Sequence, residues 1–220
     1  MGQKRERPMS AKNIDKILPL LKKEYPQAKI ALNFSNSLEI LVATVLSAQC
    51  TDERVNMVTK SLFKKYRKVQ DYAKANLKTF EQEIRSTGFY RNKAKNIIST
   101  AQKIIKNFGG KLPDSMDKLL QLPGVARKTA NIVLFNGFGK IDGIAVDTHV
   151  RRLSQRLGLT KNQDPEKIEQ DLMKILDKKE WGKFSYLLIN HGRKICDAKK
   201  PKCLECILQK LCPSRKDFYA

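Results

Sequence analysis

Four of the five cysteines in this 220-residue chain lie within its last 25 residues, with the spacing Cys196-x6-Cys203-x2-Cys206-x5-Cys212. So many thiols in so short a segment tie the chain to a common centre, either through disulfides or through a metal. Residues 1–8 are charged from Lys4 onward and no apolar segment follows, so we expect neither a secretory signal nor a transit peptide. Metal ligation by thiolates is therefore favoured over disulfide pairing.

The spacing also bears on which metal the thiols bind. Structural zinc is usually held by two close pairs of ligands, whereas this array has one CxxC flanked by wider gaps. Wider gaps suit a short chain that wraps around a cubane. We therefore predict a [4Fe-4S] cluster held by Cys196, Cys203, Cys206 and Cys212, with zinc as the alternative.

The net charge indicates a polyanionic partner. Lys and Arg number 44 against 22 Asp and Glu, which gives a formal charge of +22, and the excess is spread along the chain. Nucleic acid is favoured over a membrane surface, because no basic amphipathic anchor is present. The longest apolar stretch, residues 40–46, is far too short to span a bilayer. A surface that is merely basic and hydrated remains the alternative reading of the charge.

Apolar residues recur at three- and four-residue steps through most of the chain, and no sustained two-residue alternation occurs, which predicts an all-α protein of about ten short helices. Ser37 and Thr51 are predicted to cap two of them, and Pro19 is predicted to kink or end the first. Further helix boundaries are predicted at the Gly- and Pro-containing positions Thr87-Gly88, Gly109-Gly110, Pro123-Gly124, Gly137, Gly158 and Asp164-Pro165.

Residues 119–131, LLQLPGVARKTAN, are typical of a helix, a tight turn and a second helix. Pro123 and Gly124 reverse the chain, so backbone N–H groups of the turn and of the next helix are expected to point outward and to bind a DNA phosphate. Such turns are common between helices, so the motif gains its specificity from the segments around it.

This hairpin and the cysteine array together resemble the endonuclease III branch of the helix-hairpin-helix DNA glycosylases, which is marked by an LPGVG-R-K-T-A-N hairpin and a later VDTH. Here these segments are residues 122–131 and 146–149. Residues 46–49, 51–52 and 88–90 also look like family segments, so the resemblance covers nearly the whole chain. One departure is Ala126, where the hairpin often has a second glycine.

The resemblance implies a two-lobed all-α fold with DNA lying across the cleft between the lobes. A six-helix domain with the hairpin would comprise residues 30–140. An iron-sulfur cluster domain would be formed by both chain ends, residues 1–29 and 141–220. The protein is expected to act as a monomer on duplex DNA containing a damaged base or an abasic site, in the cytoplasm of a prokaryote and associated with its nucleoid.

The resemblance also implies that Lys128 is the nucleophile and Asp147 the catalytic carboxylate. Breaking a glycosidic bond needs a neutral amine near the anomeric carbon and a carboxylate to stabilise positive charge there. Lys128 follows Arg127 at the predicted start of a helix, where the dipole and the neighbouring charge favour the uncharged amine. The alternatives are that Lys128 is a hydrated cation and that Asp147 is an N-cap, a role that can coexist with catalysis.

A further set of residues is predicted to contact DNA. Gln49 and Phe89 match the family residues that fill the space left by a flipped nucleotide and wedge the opposite strand. The family often has leucine at the position of Phe89, and the alternative for Phe89 is ordinary packing. His149 is predicted to orient the site or to contact a phosphate, and the alternative is a satisfied helix-end histidine. The remaining predicted contacts lie in the hairpin and in the basic loop between two cysteines: Leu122, Gly124, Ala126, Arg127, Lys199, Lys200 and Lys202.

These features predict a base-excision-repair DNA glycosylase with AP lyase activity that removes oxidised or ring-saturated pyrimidines. The cluster is expected to be structural, since base excision and β-elimination move no electrons. Mismatch uracil or thymine glycosylases and adenine glycosylases are rivals on the same scaffold, but they typically lack the hairpin lysine. A DNA-binding or redox-sensing protein without catalysis is the rival from another class.

Overall fold

Only helices make up the regular structure of this computed structural model, which describes residues 9–218, with side chains from Asn13 onward. The all-α prediction is confirmed for this part of the chain. The α-helices are α1 Met9–Glu24, α2 Ser37–Leu46, α3 Asp52–Lys65, α4 Val69–Ala73, α5 Leu77–Glu83, α6 Tyr90–Phe108, α7 Met116–Leu119, α8 Arg127–Phe138, α9 Thr148–Arg156, α10 Pro165–Ile175 and α11 Trp181–Lys194. Short 3-10 segments occupy Arg85–Thr87, Lys178–Glu180, Cys203–Glu205 and Pro213–Asp217.

The chain divides into two compact units. One comprises Met1–Ile30 with Gly143–Ala220, and the other comprises Ala31–Asp142. These limits differ by one or two residues from the predicted domain limits. Residues 1–8 of the predicted cluster domain lie outside the described residues, as do residues 219 and 220.

The unit formed by the two chain ends contains α1 and α9–α11. Its core includes Ile17 and Leu21 of α1, Leu153 of α9 and Phe184 and Leu188 of α11, each at most 1% exposed. Burial of large aliphatic and aromatic side chains stabilises the folded state by about 1.5–3 kcal/mol each. Of the two outcomes predicted at Pro19, a kink or a helix end, the helix end does not occur, because this core allows α1 to continue through Pro19 to Glu24. Packing of its apolar face offsets the roughly 3 kcal/mol that a proline costs inside a helix.

The unit 31–142 contains seven α-helices, of which α4 and α7 are single turns, and the 3-10 segment Arg85–Thr87. Helix α6 packs against α4 and α5, and α2 packs against α8. The approach of α2 to α8 requires Gly137, since a Cβ there would lie 3.0 Å from the Cα of Ser37. Gly137 is the last residue but one of α8, which ends at Phe138, so the boundary predicted here lies within one residue of the observed helix end.

The predicted helix caps are partly confirmed. Thr51 caps α3 by accepting a hydrogen bond from the N–H of Arg54, and Asp164 caps α10 directly before Pro165. The predicted cap Ser37 is instead the first residue of α2, and Asn36 accepts the bond from the N–H of Glu39 at 3.0 Å. Asparagine and serine cap helices equally well, so the local sequence does not distinguish neighbouring candidates.

None of the helices within residues 9–218 combines the length and the apolar composition that crossing a membrane requires.

Candidate active site and metal centre

The hairpin between α7 and α8 is held in place by side chains of α6. The Thr100 hydroxyl donates to the carbonyl of Pro123 at 2.8 Å, and Lys103 Nζ donates to the carbonyl of Gln121 at 2.7 Å. Gly124 has φ +73°, and a Cβ there would lie 2.7 Å from Asn96 Nδ2. Glycine is thus required twice at this position, for the backbone conformation and for the close approach of α6.

The first turn of α8 follows the hairpin directly. Its N-cap residue Ala126 makes no side-chain capping bond, so N–H groups of the first turn remain available to an external anion. Lys128 and Gly124 are exposed, Arg127 is half-buried and Leu122 is buried in the core. Ala126 has φ −90° and ψ 171°, which any residue adopts, so the departure from the family glycine costs no backbone strain.

Asp147 is the N-cap of α9. Its Oδ1 accepts a hydrogen bond from the N–H of Val150 at 2.8 Å, and the side chain is half-buried. The predicted capping role is therefore present. Because the cap uses one carboxylate oxygen, the role is compatible with a second one for Oδ2.

His149 is held within its own unit. Arg152 Nη2 lies 3.1 Å from His149 Nδ1, and a guanidinium can only donate, so Nδ1 is the acceptor and the neutral ring carries its proton on Nε2. A Cβ at Gly192 would lie 2.8 Å from the same Nδ1. The histidine thus matches the alternative of a satisfied helix-end residue.

Gln49 and Phe89 are the two residues other than glycine with positive φ in residues 9–218, at 52° and 48°. Both are exposed, and Phe89 is 63% exposed, which excludes ordinary core packing. The left-handed conformation costs an L-residue about 1–2 kcal/mol, and such strain concentrates at functional sites. Phe89 also directly precedes α6 as its N-cap residue.

Lys93, for which no sequence motif predicts a role, is 4% exposed. Its Nζ donates to the carbonyls of Leu46 at 2.7 Å and Thr87 at 2.8 Å. Burial lowers the pKa of this ammonium. One signal was present in the sequence, because Lys93 lies in register with the apolar residues Ile97 and Ile104 of α6 and therefore on the buried face.

The four C-terminal cysteines line one concavity, together with apolar side chains and the polar residues His191, Arg156, Gln209 and Arg215. Cys206 is buried and the other three are half-buried. Within the part of the chain that the structure describes, no three potential ligand residues converge on a single ion position. The four cysteines therefore line the same concavity without converging on one point.

Polar groups of the same unit reach the sulfur atoms. Arg156 Nη1 donates to Cys196 Sγ at 3.2 Å, and the N–H of Leu208 donates to Cys206 Sγ at 3.4 Å. The buried His191 has Nε2 3.3 Å from Cys206 Sγ and Nδ1 3.0 Å from the Tyr25 hydroxyl. Burial lowers the pKa of His191 to about 4, so the ring is neutral.

Burial also acts on the thiols themselves. It raises the pKa of Cys206 to about 11, and it raises the pKa values of Cys203 and Cys212. A metal that binds thiolates must therefore displace protons here and compensate for the lost solvation.

The loop between Cys196 and Cys203 is fixed from two sides. Arg156 donates to the carbonyls of Asp197 at 2.7 Å and Ala198 at 2.8 Å, and Asp197 Oδ1 accepts bonds from the N–H groups of the next lysines. These backbone bonds lower the pKa of Asp197. The lysines that this turn presents are all exposed: Lys199, Lys200 and Lys202.

Comparison with known proteins identifies similar chains. A family model described as HhH-GPD superfamily base excision DNA repair protein matches residues 42–178. Endonuclease III of Synechocystis sp. is 54% identical over 198 residues, which is 90% of each chain. The solved structures of a non-covalent Endonuclease III-DNA complex and of a trapped Endonuclease III-DNA covalent intermediate each match with TM-score 0.90 and 45% identity, covering 94% of this chain and 97% of theirs.

Proposed function

Because this chain belongs to the HhH-GPD superfamily of base excision DNA repair proteins, and within it to the Endonuclease III family, we propose that Lys128 and Asp147 give it its glycosylase and AP lyase activities. The membership confirms the resemblance predicted from the sequence. One observation carries the assignment of Lys128: its exposed side chain lies in the first turn of α8, directly after a hairpin open to anions, in a chain similar to one trapped in a covalent intermediate with DNA.

The chemistry assigned to Lys128 is nucleophilic. Its neutral Nζ attacks the anomeric carbon, the bond from that carbon to the base breaks, and the base leaves with the bonding electrons and takes up a proton. Loss of the amine proton and ring opening yield an iminium ion. Removal of a proton from the adjacent sugar carbon then expels the 3′ phosphate by β-elimination. Asp147 stabilises the positive charge that develops on the sugar.

The DNA surface includes the hairpin residues Leu122, Gly124, Ala126 and Arg127. Backbone N–H groups of the turn and of the first turn of α8 bind phosphate, and the buried side chain of Leu122 holds the turn in place. Gln49 and Phe89 enter the duplex at the flipped base, which their exposure and strained backbone support. The exposed lysines of the loop 196–202 contact phosphates without reading sequence. His149 orients Arg152 rather than the substrate.

The cofactor proposed for the concavity is a [4Fe-4S] cluster held by Cys196, Cys203, Cys206 and Cys212. Four soft sulfur donors around a shared volume suit it, and Arg156 supplies a hydrogen bond to one of them. When bound, the cluster supplies folding free energy and fixes the basic loop; no step of base excision requires it. Iron and sulfide in equal amounts are expected after anaerobic purification, and stoichiometric zinc without iron would refute the assignment.

The substrate class proposed is oxidised or ring-saturated pyrimidine in duplex DNA. The proposed location is the cytoplasm of a prokaryote, in association with the nucleoid, and the bacterial origin of the named relatives supports it. A panel of duplexes, each with one damaged base, tests it. Excision of only a mismatched uracil, thymine or adenine would favour the other enzymes of this scaffold. Binding without any excision would favour a non-catalytic protein.

Borohydride trapping tests the nucleophile. The wild-type protein should form a covalent complex with lesion-containing duplex, and Lys128→Gln should form none while still binding an uncleavable abasic analogue. The matched control is Lys78→Gln, since Lys78 is also exposed and is also the second residue of its helix. If Lys128→Gln were trapped by borohydride and nicked the duplex at the wild-type rate, the mechanism would be overturned.

A further inference from the structure

A single buried ammonium joins the ends of two segments that are distant in sequence. Lys93 Nζ lies 2.7 Å from the carbonyl oxygen of Leu46 and 2.8 Å from that of Thr87. Leu46 is the last residue of α2, and Thr87 is the last residue of the 3-10 segment before α6. Both carbonyls lie at helix ends, where backbone acceptors lack helical partners.

Each of these two carbonyls lies two or three residues before one of the two residues with positive φ. Gln49 follows Leu46 by three residues, Phe89 follows Thr87 by two, and both have positive φ and exposed side chains. The backbone N–H of Lys93 also donates to the carbonyl of Phe89 at 3.1 Å. Lys93 thus contacts the backbone on the N-terminal side of both residues and the backbone of Phe89 itself.

Core formation alone does not account for a lysine at this position. Burying an ammonium has a desolvation cost, whereas an apolar residue would continue the buried face formed by Ile97 and Ile104. What the ammonium provides, and a methyl group cannot, is several donors on one atom that fix two acceptors close to each other.

We propose that Lys93 is a positioning residue for base extrusion, holding the segments 46–50 and 87–90 at one spacing so that Gln49 and Phe89 enter the duplex together. The inference rests on the proposed roles of Gln49 and Phe89. Fixing both loops before DNA binds lowers the entropy lost on insertion, so the benefit falls on extrusion and leaves the chemistry of Lys128 unchanged.

The central experiment compares substrates that do and do not need insertion. Lys93→Met keeps the aliphatic stem and removes the donors. In single turnover it should lower excision from a duplex lesion by tenfold or more, yet leave cleavage of an abasic site in single-stranded DNA within twofold of wild type. Fluorescence of 2-aminopurine opposite the lesion, which rises on unstacking, should lose most of its increase. Lys93→Arg, which keeps the charge and donors, should restore part of both signals.

A double-mutant cycle separates positioning from a general loss of stability. In a Gln49→Ala, Phe89→Ala background the inserting side chains are gone, so Lys93→Met should add less than a twofold further loss. The stability control is Ile104→Val, since Ile104 is fully buried and lies eleven residues beyond Lys93 on the same helix. It should leave the fluorescence increase intact. If Lys93→Met does not fold, Lys93→Gln, with a donor on a shorter stem, is used with the same expected losses.

Two results would overturn the proposal. One is a full tenfold loss from Lys93→Met in the Gln49→Ala, Phe89→Ala background, and the other is an equal loss on single-stranded abasic DNA. Either would assign Lys93 to general folding. Failure of the proposed function is distinguishable, because the wild-type protein would then neither excise a lesion nor be trapped by borohydride.

Discussion

Substituting Gly124 with alanine tests whether the hairpin depends on its contact with α6. The residue has φ +73°, and an added Cβ would lie 2.7 Å from Asn96 Nδ2 and 3.0 Å from Asn96 Cβ. The backbone conformation costs an alanine about 1–2 kcal/mol, and forcing an atom into a packed contact typically costs about 1–3 kcal/mol. We expect Gly124→Ala to lower the free energy of unfolding by about 2–5 kcal/mol.

The two contributions can be separated within this chain. Gly139 has φ +65° and its Cβ would meet no atom within 4 Å, so Gly139→Ala should show the conformational cost alone, about 1–2 kcal/mol. In the double variant Gly124→Ala, Asn96→Ala the contacts with Nδ2 and Cγ of Asn96 are removed, whereas the contact with Cβ at 3.0 Å and the backbone conformation remain. This variant should regain about 1–3 kcal/mol relative to the sum of its single changes.

The assays are denaturant unfolding and binding to undamaged duplex at several salt concentrations. Gly124→Ala should weaken binding because the turn that presents the N–H groups is displaced, the double variant should recover part of it, and Gly139→Ala should bind as the wild type does. Equal destabilisation by Gly124→Ala and Gly139→Ala would refute the argument that the contact with Asn96 matters. Unchanged binding by Gly124→Ala would refute the role of the turn.

Three other predictions concern the remaining site residues. Asp147→Asn should keep the cap and slow excision, measured in single turnover, by about a hundredfold or more. Asp147→Ala should in addition lower the free energy of unfolding by about 1 kcal/mol. The control is Asp164→Asn, at another N-cap, which should keep full activity. Lys200→Ala should reduce the magnitude of the slope of log binding constant against log salt concentration by about one, on damaged and undamaged duplex alike. An unchanged slope would show that Lys200 is a hydrated surface lysine without a phosphate contact. Cys203→Ala should lose iron and sulfide by elemental analysis and unfold the cysteine-bearing unit at lower denaturant, and full iron content would contradict its role as ligand.

The parts of the fold that the sequence predicts are those that depend on neighbouring residues. The helical class follows from apolar spacing, and the caps Thr51, Asp147 and Asp164 follow from side chains that bond N–H groups two or three residues ahead. The same reasoning could not distinguish a kink from a helix end at Pro19, and α1 continues to Glu24 because packing of its apolar face offsets the cost of the proline.

The candidate site divides in the same way. The cysteines, Lys128 and Asp147 lie in continuous motifs, so a resemblance transfers them residue by residue. Lys93 has no such motif, because its partners lie 47 and 6 residues away in the chain and are backbone carbonyls, which any residue supplies. Only the three-dimensional structure brings a charged side chain on a buried helical face together with two helix ends.

Helix α6 connects these two kinds of residue. At its N-terminal end Lys93 bonds the carbonyls of Leu46 and Thr87, and further along Thr100 and Lys103 bond the hairpin. An α-helix rises only about 1.5 Å per residue and is stiff, so Lys93 and Thr100 are separated by a fixed distance of roughly 10 Å along its axis. Under the roles proposed for the hairpin and for Phe89, a bound phosphate and an inserted side chain would both be positioned by this one rigid helix. Anchoring the backbone of damaged DNA at the hairpin would then also set where along it the proposed inserting residues act.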